Sequence, residues 1–154
     1  MKAVIQRVRN ASVSVEGKTV GQCDKGYMIL FCAVEDDTEE DLTVLAKKIA
    51  HLRIFEDDFG KMNRSILDIG GEVLAISQFT LCADMKKGNR PSFIKAMNPQ
   101  TASEMYDRFC LCLIEQGIKH VDKGIFGADM QVSLVNDGPV TISMDTRDWC
   151  KHGD

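Results

Sequence analysis

The stretch VSLVNDGPVTISMD, residues 132–145, poses the folding question of this chain. Val132 and Leu134 alternate with Ser133, and Val140, Ile142 and Met144 alternate with Thr141 and Ser143. Period-two alternation marks strands with one face in a core and the other in water. Between the two runs stand Asn136, Asp137, Gly138 and Pro139, all turn-favouring residues. The expectation is two strands joined by a four-residue loop. Turn chemistry accounts for each residue type, and only about one X–Pro bond in twenty is cis in folded proteins. It does not require all four types at once, so a Gly-Pro peptide held out for a purpose is the competing reading.

Strand patterns extend outward from there. Lys2 to Val8 alternates, Ala11 to Val15 alternates again, and Glu16-Gly17 offers a hairpin turn into Lys18–Cys23. The apolar run from Gly26 to Val34 suits a central strand buried on both faces. Asp37-Thr38 caps a helix with Glu39, Glu40 and Asp41 in its first turn, and Leu42, Leu45, Ile49 and Leu52 mark its apolar face. Turns and a short hairpin are expected over 56–71, and a strand over 72–79. Residues 84–100 read as loop. A second helix is expected from Thr101, where Thr101-Ala102-Ser103-Glu104 is a capping box, to Gly117. The fold class is α+β: a single domain over 1–150 with a curved, antiparallel-rich, barrel-like sheet and two covering helices, then a frayed tail over 151–154.

Composition agrees with a globular chain. It has 154 residues, enough to bury roughly two thirds of its surface. Charged residues make up 27%, and the longest apolar runs are too short to span a bilayer. No signal-peptide core follows Met1, so a cytoplasmic location without membrane attachment is expected. The six cysteines form no CxxC pair and lie mostly in apolar runs, which reads as buried thiols rather than disulfides or a zinc site. A net charge of −4 means that any RNA must be met by a local basic patch.

Familiar catalytic machinery is missing from the sequence. There is no GxSxG, HExxH, P-loop or GxGxxG, and His51, His120 and His152 have no adjacent Ser or Cys. An enzyme of this kind would lean on binding and oriented backbone groups. Two stretches resist a purely structural reading. In Ala75–Leu81, a face shared by Leu74 and Ile76 passes into Gln78 and Thr80, as at the mouth of a pocket. The loop Lys86-Lys87-Gly88-Asn89-Arg90 is a candidate for phosphate contact, or simply a solvated loop.

Taken together, SQFTL at 77–81 with Ala83-Asp84, and NDGPVT at 136–141, resemble the two signature motifs of D-aminoacyl-tRNA deacylases. The start MKAVIQRV and the loop through Arg90-Pro91-Ser92-Phe93 are also similar, so the likeness covers nearly the whole chain. The resemblance implies hydrolysis of the ester joining a D-amino acid, or glycine mischarged on tRNA(Ala), to the terminal adenosine of tRNA. It implies a homodimer with active sites at the interface and no metal or cofactor. Ser77, Gln78, Phe79 and Thr80 would line the pocket for the aminoacyl-adenosine. Gly138 and Pro139, joined by a cis peptide, would enter the partner subunit's pocket as a chiral gate, with Asn136, Val140, Thr141 and Arg7 beside them. Lys86, Lys87, Arg90 and Phe93 would contact tRNA. Backbone donors and the RNA's own 2′-hydroxyl are favoured over Thr80 as a nucleophile, because no base is visible to activate Thr80. The alternative is a non-catalytic β-rich RNA-binding module.

Overall fold

The computed structural model describes residues 1–150. Its elements are β1 (Lys2–Val15), β2 (Lys18–Cys23), β3 (Gly26–Cys32), α1 (Glu39–His51), the hairpin β4 (Phe55–Glu56) and β5 (Met62–Arg64), α2 (Ile66–Ile69), β6 (Glu72–Ser77), α3 (Pro99–Glu115), β7 (Val121–Lys123) and β8 (Gln131–Asp145). The expected α+β architecture with a barrel-like sheet is present. The expected tail over 151–154 and His152 lie outside the described residues.

Strand β1 organises the sheet. Its two alternating runs form one strand, with β8 antiparallel along one edge for nearly its whole length. The other edge takes β3 against Lys2–Val8 and β2 against Ala11–Val15. The sheet then continues through β6 and β7, both added in parallel. Each parallel step needs a long crossover, and α1 and α3 supply them. At the far end, β2 curls round to meet β7. Gln22 N–H donates to Asp122 Oδ2 (2.9 Å), and His120 Nε2 donates to the Gln22 carbonyl (2.9 Å).

Alternation sends side chains into two cores, one on each face. Ile5, Tyr27, Ile29, Phe31, Val73 and Ala75 pack against α1 and α3. Val8, Val13, Cys23, Met28, Leu74 and Ile76 fill the inside of the curl. This explains why β3 and β6 read as continuous apolar runs: both their faces are covered. Each buried aliphatic or aromatic side chain contributes about 1.5–3 kcal/mol. Phe31 stacks on Phe109 of α3 with centroids 4.5 Å apart, and the Tyr106 hydroxyl donates to the Ala75 carbonyl (2.6 Å). All six cysteines are free; five are buried and Cys112 is half-buried. No helix among the described residues is long and apolar enough to cross a membrane.

Four local expectations need correction. Residues 131–145 form one strand, so Asn136–Pro139 is not a hairpin loop. The pairing partner decides this: β1 is long enough to engage the runs on both sides of the insertion. The strand over 72–79 stops at Ser77, and Phe79–Cys82 is a 3-10 turn. The second large helix starts at Pro99 rather than Thr101, because the Asn98 side chain caps it by accepting from Thr101 N–H (3.0 Å) and Pro99 fits the first turn. A one-turn helix, α2, adds to the two covering helices; Ser65 and Asp68 cap it reciprocally.

The closure of the curl is tight at Gly21, where an added Cβ would lie 2.6 Å from the Lys123 carbonyl oxygen. Gly21→Ala is expected to force β2 from β7 and cost about 1–3 kcal/mol, read as a lower midpoint in denaturant unfolding. His120 adds a pH-dependent contact to the same seam. The Gln22 carbonyl, then Glu72 and Asp122, raise its pKa above the ordinary 6.5. Its contribution is therefore full below about pH 6.5 and lost as pH rises through the higher folded-state value. The thermal midpoint should fall slightly across that window in the native protein and stay flat there in His120→Gln.

Candidate functional site

The motif Asn136–Thr141 forms a bulge on β8. Gln6 pairs with Thr141 and Val8 with Asn136, so Arg7 alone faces Asp137-Gly138-Pro139-Val140. The Asn136 side chain bridges the base of the bulge: Oδ1 accepts from Val140 N–H (3.2 Å) and Nδ2 donates to Thr141 Oγ1 (3.1 Å). Val140 anchors it in the helix-side core, while Gly138 and Pro139 are exposed and their peptide is cis. Gly138 has φ +131°, a conformation that favours glycine.

Arg7 holds this shape from behind. Its side chain is buried beneath the bulge; Nε donates to the Asp137 carbonyl (3.0 Å) and Nη1 to the Ile54 carbonyl (2.6 Å). A Cβ on Gly138 would lie 3.0 Å from Arg7 Nη2 and 2.9 Å from Val140 Cγ2. The five residues expected around Pro139, namely Arg7, Asn136, Gly138, Val140 and Thr141, thus make one unit.

A second unit forms where β3 and β6 end. A cavity of about 590 Å³ opens there, between the start of α3, the loop at Phe93 and the segment 126–132. Ser77, Gln78, Phe79 and Phe93 line it. Phe79 and Phe93 meet edge to face at 5.0 Å, and Phe79 is 57% exposed, leaving an aromatic surface at the mouth. Thr80 lies just beyond the lining, exposed, and its hydroxyl accepts a hydrogen bond from Gln78 Nε2. The 3-10 turn therefore places Gln78 and Thr80 in contact, where a strand would only have set them on one face.

The loop with Lys86, Lys87 and Arg90 is exposed and pinched at its base by the Asp84–Ser92 bridge. Lys86 N–H donates to Asp84, and this bond is the main cause of an Asp84 carboxyl held below its ordinary range.

Among the cavity's lining residues the only ionisable side chains are Cys32 and Asp129, and burial pushes the Cys32 thiol far up. The cavity thus offers the Ser77 hydroxyl, the Gln78 and Asn98 amides, the Asp129 carboxyl, aromatic faces and backbone groups. The residues of the bulge do not line the cavity of their own chain. The wall at Phe126, Asp129 and Met130 escapes sequence reading, because periodicity merges 124–130 with the strand-rich region around it. Gly124 and Gly127 are the available signal that regular structure breaks there.

Comparison with known proteins bears on these two units. Residues 4–145 match the family model described as D-Tyr-tRNA(Tyr) deacylase. A D-aminoacyl-tRNA deacylase from Thermus aquaticus is 53% identical over 146 residues, covering 95% of each chain. One from Bacillus pumilus is 54% identical over 148 residues, covering 96% of this chain and all of that one. Among solved structures, the c-Myc DNA Unwinding Element Binding Protein superposes with a TM-score of 0.89 at 41% identity, over 94% of this chain and 98% of that one. A probable eukaryotic D-amino acid tRNA deacylase shares the fold with a TM-score of 0.79 at 19% identity, over 93% and 97%.

Arg7→Ala should leave the Asp137 and Ile54 carbonyls without their donor, at a cost of about 1–3 kcal/mol. Hydrogen exchange is expected to accelerate at the Gly138 and Val140 amides, while the β3 amides stay protected. Unchanged exchange at the bulge would show that Arg7 does not hold it.

Proposed function

The chain belongs to the D-Tyr-tRNA(Tyr) deacylase family, and from that premise we propose how its two units divide the work. The protein is a hydrolase that deacylates D-aminoacyl-tRNA. In the proposed arrangement two copies pair so that Gly138-Pro139 of one enters the cavity of the other. The observation carrying this reading is the bulge itself: exposed main chain, held by Arg7, whose residues do not line the aromatic cavity of their own chain.

The cavity then receives the terminal adenosine and aminoacyl group. Phe79 and Phe93 offer faces for the base, and Ser77 and Gln78 offer polar contacts. The first N–H groups of a 3-10 turn have no acceptor within it, so those of Phe79 and Thr80 can face a developing oxyanion. An aminoacyl ester is already activated, so modest assistance suffices. Water assisted by the substrate's 2′-hydroxyl supplies the nucleophile in this scheme, and Thr80 orients Gln78. Lys86, Lys87 and Arg90 lie on the loop next to Phe93 and would meet tRNA phosphates.

Chirality is tested at the α-carbon. A side-chain pocket separates substrates differing by a methylene by only about 1–3 kcal/mol. A main-chain wall at the α-carbon instead rejects every L side chain by collision. A D side chain points away from it, and glycine, having none, passes, which would include glycine mischarged on tRNA(Ala).

A second reading has one observation behind it: the neighbour at 41% identity is titled a DNA-element-binding protein. Binding alone would give an affinity indifferent to the chirality of the attached amino acid. The deciding experiment compares D-Tyr-tRNA with L-Tyr-tRNA. Release of D-tyrosine with L-Tyr-tRNA spared is expected; equal rates would end the chirality claim. Gly138→Ala should lower kcat/KM on D-Tyr-tRNA by roughly 100-fold through displacement of the wall, with a folded protein by circular dichroism.

A further inference from the structure

A second cavity, about 740 Å³, lies away from the first, between the C-terminal half of α1 and the edge of β8 that faces away from β1. Its walls are apolar: Ile142, Met144 and the ring of Trp149. Its rim carries Lys47, Lys48, His51 and Arg53. In a chain of net charge −4 the convergence of Lys47, Lys48 and Arg53 needs an explanation. Elsewhere Arg9, Arg64, Lys95, Arg108 and Lys123 each face a carboxylate, and other cations unpaired among the described residues, such as Lys2, Lys18, Lys25 and Lys61, are scattered along the chain. What sets the groove apart is that its cations converge on one apolar hollow. Among the described residues no carboxylate lies within ion-pair distance of Lys47, Lys48 or Arg53. Lys48 instead sits over the Trp149 ring at 5.1 Å, and Arg53 Nε donates to the Asn63 carbonyl (2.9 Å). These interactions orient both cations without an ion pair; the Arg53 charge is felt at longer range by Asp68, whose carboxyl is held below its ordinary range first by the Ser65 N–H.

The groove also has a fixed relation to the chiral bulge. Arg53 precedes Ile54, whose carbonyl accepts from Arg7, and Arg7 holds Asp137. Along β8, Ile142 stands four residues beyond Gly138, at most about 13 Å at the rise of a fully extended strand and less across the bulge. A substrate ester lying against Gly138-Pro139 would thus have this groove on its flank.

We propose that the groove between α1 and β8 binds the sugar-phosphate backbone of the tRNA acceptor end, just before the terminal adenosine. The proposal rests on the deacylase reading. Since Gly138-Pro139 there serves the partner's cavity, the two subunits share one tRNA: one takes the aminoacyl-adenosine, the other grips the adjoining phosphates. The loop with Lys86, Lys87 and Arg90 flanks the first cavity on its own subunit, so cations bracket the substrate from both subunits. A protein occupant suits the groove less well, because lysine is depleted in protein–protein interfaces, whereas unpaired cations at a groove's rim are what phosphates require.

Trp149 is the single tryptophan of the chain, so the groove reports on itself. Titration with deacylated tRNA should change the Trp149 emission of the native protein. Lys47 and Lys48 are exposed, so the double variant Lys47→Glu/Lys48→Glu should fold. It is expected to bind deacylated tRNA at least roughly tenfold more weakly at low salt. Its slope of log affinity on log salt should be shallower by about one to two, because each phosphate left unneutralised removes roughly 0.7–0.9 from the slope. Hydrolysis of D-tyrosyl-adenosine, which cannot reach the groove, should be unchanged, while KM for D-Tyr-tRNA rises. Native affinity and salt slope in the variant, or tRNA binding that leaves Trp149 emission unmoved, would overturn the proposal. So would dissociation of the variant into monomers with tRNA affinity retained, since the groove would then be a subunit seam. If the native protein fails to release D-tyrosine while the variant still loses tRNA affinity, the groove stands and the deacylase reading falls.

Discussion

The buried guanidinium of Arg7 is the group on which the site depends. β8 must pair with β1 above and below an insertion that cannot pair, and the insertion is left with backbone groups to satisfy. Arg7 is the one β1 residue facing that gap, and it reaches across to the Asp137 carbonyl while fixed on the other side by Ile54. Its proximity sets a condition on position 138. A side chain there would meet Arg7 and Val140, so a close cation and an absent Cβ are two halves of one requirement. With ladder pairing at both ends and Arg7 between, the main chain at Gly138-Pro139 has little freedom to yield.

Much of this is legible in the sequence, and what escapes it follows a pattern. The strands of the N-terminal half, the helix beginning after Thr38 and the double burial of β3 follow from periodicity, which is local. The hairpin expected at 136–139 fails because turn propensity is also local, whereas β8 is decided by a partner some 130 positions away. Periodicity carries β6 past Ser77 because Gln78 and Thr80 keep the alternation going; the 3-10 turn that ends it has no strong sequence mark. The start of α3 is ambiguous because Thr101-Ala102-Ser103-Glu104 and Asn98-Pro99 are both valid caps, and the structure uses the earlier one. The residues of each motif lie together in space, those of NDGPVT in the bulge and those of SQFT at the cavity mouth. The wall at Phe126–Met130 has no such motif, and the role of Arg7 as a support is visible only in three dimensions.

The two units have complementary chemical characters. The cavity is largely apolar and aromatic, with a few polar groups from the end of β6, the start of α3 and the wall at 126–130, suited to a nucleoside and an ester. It has no histidine or lysine in its lining. The bulge is nearly all backbone. Neither unit alone is a hydrolytic site of familiar type, and in the proposed dimer they become one by juxtaposition. That division suits an ester whose hydrolysis needs orientation more than acid–base power. It also leaves the charged residues at the periphery, on the 84–92 loop and along α1, where screening by solvent matters less to catalysis than to capture of an anionic substrate.

The proposed gate is built from main chain, and its specificity would differ in kind from that of a side-chain pocket. Discrimination through side-chain contacts is graded, because each methylene changes binding by an amount that depends on fit. A wall beside the α-carbon senses only the substituent that every L-amino acid presents on that side. The same geometry then serves tyrosine, aspartate or any other residue, provided the wall does not move. The supporting contacts are therefore worth more to selectivity than any group touching the amino acid's side chain. In the proposed gate Arg7, Asn136 and Val140 are those supports, through their contacts with the bulge backbone and with each other's neighbours, and none of them needs to contact the substrate. The sequence record of such a gate is accordingly a set of residues that hold backbone, Asn-x-Gly-Pro-Val-Thr, rather than a set that performs chemistry.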